Sequence, residues 1–97
     1  MKAQKLFHFK AQQQDVTVEM ALWVLPAASP EHPHGLKYRL FCGRGTDCVV
    51  RYDNETGKGD HRHYGTVEAP YRFESVDELI EDFREDCTRL AGWIWEE

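Results

Sequence analysis

From Val16 to Val24 every second residue is apolar, giving Val16, Val18, Met20, Leu22 and Val24, while Thr17 and Glu19 fall between them. Side chains of an extended chain point alternately to two faces, so this pattern specifies a strand with one buried face; a helix would repeat its apolar stripe every three to four residues. Residues 3–11, where Phe7 and Phe9 alternate with His8 and Lys10, read as a strand before it, and the polar break from Gln12 to Asp15 pairs the two as a hairpin. Leu36, Tyr38, Leu40 and Cys42 alternate with Lys37 and Arg39 in a third strand, and Cys48–Tyr52 follows as a fourth after the turn at Gly43–Asp47. A further short strand is expected near Thr66–Glu68, with an extended piece at Tyr71–Phe73. Between the hairpins, Pro26, Pro30 and Pro33 with Gly35 mark an irregular connection, longer than a hairpin turn.

The period changes after Phe73. Ser75 and Glu78 form a capping box before Val76, Leu79, Ile80, Phe83, Cys87, Leu90 and Ile94, which lie at helical spacing and predict an amphipathic helix ending near Gly92. Its apolar stripe needs cover, and one face of the sheet provides it. The fold class is therefore α+β, a four- to five-stranded antiparallel sheet with one long C-terminal helix packed on one face, in a single domain over 1–97. Asp77, Glu78, Glu81, Asp82, Glu85 and Asp86 are expected to cover the outer face of the helix, as a solvated surface favoured at the positive end of the dipole. Trp93 and Trp95 are expected under the sheet edge or against a partner.

The net charge of −5 conceals an asymmetry. Residues 37–73 hold seven Lys or Arg against five acids, whereas residues 74–97 hold two Arg against nine acids. A basic patch can therefore coexist with an acidic total. Cys42, Cys48 and Cys87 are odd in number and form no CxxC pair, so neither a disulfide framework nor a zinc knuckle is indicated. No apolar run approaches the roughly 20 residues that span a bilayer, and the expected location is the cytoplasm, with no membrane contact.

Arg51–His63, RYDNETGKGDHRH, concentrates chemistry: three acids, two Arg, one Lys, two His and two Gly in thirteen positions. Gly57 and Gly59 around Lys58 permit positive φ and can bring amides and an ammonium to an anion, although the spacing is not that of a P-loop. If Asp60–His63 is extended, His61 and His63 point to one face and Asp60 and Arg62 to the other. Cleaving RNA without a metal requires a base for the 2′-hydroxyl, an acid for the leaving oxygen and cations for the phosphate. His61 and His63 supply the first two, Lys58 and Arg62 with Gly57 and Gly59 the phosphate contacts, and Asp53 or Asp60 can orient a His. Metal ligation by His61, His63 and an Asp is the competing chemistry, but the expected metal and cofactor complement is none. Arg51 and Asn54, at the strand end, read as scaffold. His32 and His34 read as an exposed loop, and Tyr52, Tyr64 and Tyr71 as core rim more readily than as base-stacking rings.

The strings VEMALWVLP, KYRLFCGRG, VVRYDNETGKGDHRHYG and PYRFESVDELIEDFRED, in this order, resemble the TumE family of small bacterial toxins over nearly the whole chain. The resemblance implies the toxin half of a type II toxin–antitoxin pair, neutralised by a TumA-like antitoxin with a helix-turn-helix domain, and an attack on RNA or translation. A non-enzymatic module gripping RNA or protein through the same segment is the alternative. A homodimer through an edge strand is compatible with either.

Overall fold

The computed structural model describes residues 3–30, 32–54 and 59–96. Strands β1 (Gln4–Gln13), β2 (Val16–Val24), β3 (Leu36–Arg44), β4 (Asp47–Asp53), β5 (His61–Tyr64) and β6 (Val67–Pro70) precede helix α1 (Val76–Ala91). The strands form one antiparallel sheet in sequence order, each paired with its chain neighbour. The sheet thus has six strands, one more than the upper expectation. The addition is β5, drawn from a segment whose composition reads as loop. Its backbone is hydrogen-bonded on both sides, to β4 and β6, and ladder bonds on two edges override a weak apolar pattern.

Register carries the alternation of β2 across the sheet. Met20 meets Leu40, Leu40 meets Tyr52, and Val18 meets Cys42, which meets Val50, so these residues share one face. Leu79, Phe83 and Cys87 of α1 join them in one buried cluster. Burying Phe83 completely contributes about 1.5–3 kcal/mol. Ser75 caps the helix, its Oγ accepting from the Glu78 amide at 3.1 Å, and Gly92 ends it at φ 72, donating to the carbonyls of Cys87 and Thr88. A residue with a Cβ would be strained at that C-terminal cap.

Asp86 departs from the expected solvated face. It is buried against the sheet, where its Oδ2 accepts from Tyr52 Oη at 2.5 Å and Tyr64 Oη at 2.7 Å, while Arg89 donates to Oδ1 at 2.8 Å. Burial pushes its carboxyl up, but these three donors outweigh burial and hold it below the ordinary range. Trp93 lies in the core, and Trp95 packs on Phe9 of the β1 edge with a centroid separation of 5.9 Å.

Candidate active site on the open sheet face

Strand alternation divides the polar segment between two environments. Tyr52 and Arg62 are register partners on the helix side, so their neighbours Arg51, Asp53, His61 and His63 project from the opposite face. There Asp53 pairs with His61 and Arg51 with His63 on adjacent rungs of β4 and β5. Asp53 is 2% and His61 5% exposed. The Asp53 carboxylate contacts two cationic or potentially cationic groups, His61 Nε2 at Oδ1 and Arg51 Nε at Oδ2, the latter at 2.9 Å. The other ring nitrogen of His61 meets the carbonyl of Gly59 at 3.0 Å, so both nitrogens of this ring are engaged. Gly59 has φ +71, in line with the positive φ expected around Lys58.

The ring of His63 stands edge-on to that of His61 with centroids 5.1 Å apart. Its Nε2 is buried and, among the described residues, has no hydrogen-bond partner; Glu68 of β6 comes to 3.5 Å. Burial and then the Arg51 guanidinium hold His63 below the ordinary His range, against the opposing pull of Asp53 and Glu68. An imidazole kept neutral, with a free nitrogen beside a guanidinium, can accept a proton next to a bound anion. The same face offers a second chemistry. Asp53, His61 and His63 can each direct one ligand atom to a common point, all within 4.8 Å of one another. That is a fit set for a divalent ion, although Arg51 already occupies the carboxylate.

Two residues expected in the site lie elsewhere. Asp60 turns to the helix side, accepting from Tyr38 Oη at 2.6 Å and contacting His34 Nε2 at 3.0 Å, so it orients His34 and neither catalytic candidate. Arg62 also faces α1. Its guanidinium carbon lies 5.2–5.7 Å from the ring centroids of Tyr64, Tyr71 and Tyr52, and it donates to Tyr52 Oη at 3.1 Å. Three rings enclose it; Tyr64 and Tyr71 are core rim as expected, while Tyr52 lies in the core itself. Gly57 and Lys58 lie outside the described residues.

Arg51 is the site residue that sequence reasoning missed, since a strand-end Arg reads as scaffold. The available signal was its parity with Asp53, which places both on one face. Asn54 is scaffold as expected: its Oδ1 accepts from the Tyr38 amide and its Nδ2 donates to the Leu36 carbonyl. His32 and His34 are not an exposed loop. His32 is buried with Nε2 2.8 Å from the Asn54 carbonyl, and His34 stacks on Phe73 at 4.0 Å.

The family model described as Toxin TumE matches residues 3–91. The chain belongs to the TumE family. The TumE match spans all six strands and α1, hence the whole open-face cluster. Membership in a toxin family implies an antitoxin partner. No curated protein and no solved structure matches the chain. Among the described residues, no helix is long and apolar enough to cross a membrane.

Proposed function

We propose that this TumE-family toxin is an endoribonuclease whose proton transfers run through His63 without a metal, and that a helix-turn-helix antitoxin of the TumA type neutralises it. The observation carrying this reading is the Nε2 of His63, beside Arg51 on the sheet face opposite α1, which has no hydrogen-bond partner among the described residues. RNA brings its own nucleophile. His63 takes the proton of the 2′-hydroxyl, the freed oxygen bonds to phosphorus, and the P–O5′ bond breaks; the leaving oxygen takes a proton from water, the resulting hydroxide recovers the proton held by His63, and the products are a cyclic phosphate and a 5′-hydroxyl. Arg51 holds the phosphate, with Lys58 as a second cation from the adjoining segment. His61 changes role relative to the acid–base pair read from sequence. With both nitrogens engaged and the side chain buried, it is a positioning residue that fixes its ring against His63, and Asp53 fixes His61 in turn.

His63→Ala and Arg51→Ala are to be assayed for RNA cleavage and RNA binding in parallel, with growth arrest as the cellular readout. His63→Ala is expected to lose cleavage by about 10²–10⁴-fold while still binding RNA. Cleavage undiminished in this variant would exclude His63, and joint loss of cleavage and binding in a folded protein would favour the non-enzymatic module.

The ligand geometry of Asp53, His61 and His63 favours one second reading, a metal-dependent nuclease. Cleavage abolished by EDTA and restored by a divalent ion would select it. The guanidinium at Asp53 weighs against it, because a second cation there must displace or repel Arg51.

A further inference from the structure

The open face continues well beyond the His pair. The helix lies against the other side of the sheet, through Leu79, Phe83 and Cys87. On the open side, Trp23 of β2 sits between Lys5 and Lys37, its register partners, and Phe41 of β3 sits beside Arg51. Both rings are half-buried. The Phe41 ring packs close to Gly43, where an added Cβ would come within 2.4 Å of it. The Arg39 guanidinium carbon stands 5.3 Å from its centroid. Phe41, Arg51 and His63 occupy one rung across three successive strands, so the backbone of Phe41 lies two strand spacings, about 10 Å, from that of His63.

We infer that this face is a stacking platform for single-stranded RNA, with Phe41 and Trp23 each taking a base, Lys5, Lys37 and Arg39 tracking the backbone, and the strand delivered to His63. This deepens the ribonuclease reading and rests on it for the direction of the strand. Charge selects a polyanion as the occupant. Two acids of the face are engaged, Asp53 beneath Arg51 and His61, and Glu19 by His8 at 3.1 Å; Glu68, half exposed and 3.5 Å from His63, is outnumbered by Lys5, Lys37, Arg39 and Arg51. The eight acids of residues 74–96 belong to α1 and its flanks, the layer opposite, so a nucleic acid is attracted to one side and repelled from the other. Aromatic rings interleaved with cations on a sheet suit unpaired bases, which offer a π-face irrespective of sequence; a duplex hides its bases.

The test uses a labelled single-stranded RNA oligonucleotide, its duplex, and a dinucleoside phosphate too short to reach from Arg51 to Trp23. Binding is measured with His63→Ala as parent, so that the probe survives. Phe41→Ala and Trp23→Ala are each expected to weaken single-strand binding by about 5- to 150-fold with little change for the duplex. Phe41→Tyr should restore binding, and Arg39→Ala should flatten its salt dependence. In the otherwise unaltered toxin, Trp23→Ala should slow cleavage of the oligonucleotide more than that of the dinucleoside phosphate. Unchanged oligonucleotide affinity in folded Phe41→Ala and Trp23→Ala would overturn the platform while leaving the ribonuclease reading intact. So would equal losses for single strand and duplex, or loss of antitoxin binding alone. Phe41-dependent binding without cleavage of either substrate would keep the platform and overturn the ribonuclease reading.

Discussion

Asp53 and His61 face each other across one rung of β4 and β5, both buried, with the guanidinium of Arg51 against the second carboxylate oxygen. The carboxylate is the shared anionic contact of both, although His61 also meets the Gly59 carbonyl and Arg51 keeps part of its surface in water. Removing it as Asp53→Ala breaks a largely buried pairing, and up to about 3–5 kcal/mol of stability should be lost in urea unfolding, together with toxicity. Asp53→Asn, which keeps the shape and one acceptor oxygen, should lose less. Equal stability of the Ala variant and the parent would show that the pairing is incidental.

The pH dependence of cleavage follows from His63. A general base works in its neutral form, and burial together with Arg51 lowers the pH at which that form appears. The rate should therefore rise with pH through a midpoint below about 6.5 and stay level through neutrality. Arg51→Ala removes one cause of the lowering, so its residual activity should show the midpoint moved upward. A midpoint that stays in place would detach Arg51 from the base.

Asp86 ties α1 to the sheet in its ionised form. Its folded carboxyl sits below the unfolded one, so its contribution is fully present above about pH 4 and is lost as pH falls through the depressed folded value. Asp86→Ala also leaves the hydroxyls of Tyr52 and Tyr64 without their acceptor, at about 1–3 kcal/mol for each buried group. Unfolding measured from pH 7 down to strong acid should show a parental decline that the variant lacks. Parallel curves would refute this account.

Asp60 is held on the helix side by Tyr38 and His34. Asp60→Ala deprives Tyr38 Oη and His34 of their acceptor on the helix side, so thermal stability should fall by about 1–3 kcal/mol while cleavage per folded molecule stays within a few-fold of the parent. A loss of a hundredfold or more in a folded variant would return Asp60 to the active site.

Residues whose fate depends on period and neighbours along the chain were legible from the sequence. The alternation of β2 and β3, the Ser75 cap, the stripe of α1 as far as Cys87 and the Gly92 stop all follow from local geometry, and the structure bears them out, whereas Leu90 and Ile94, read into the same stripe, are exposed. So does the placement of His61 and His63 on one face, because parity in an extended segment is local. The division of the remaining polar residues was decided elsewhere. Whether Asp60 meets a catalytic His or His34, whether Arg62 meets phosphate or three tyrosine rings, and whether Asp86 is solvated or buried depends on which residues of distant strands lie opposite. That is set by register between strands and by the side of the sheet that α1 covers. The sequence by itself determined the elements and the alternation within each; only the tertiary structure decided which alternate face became core and which became site, because burial is a property of the packed layers and each polar residue finds its partner across them.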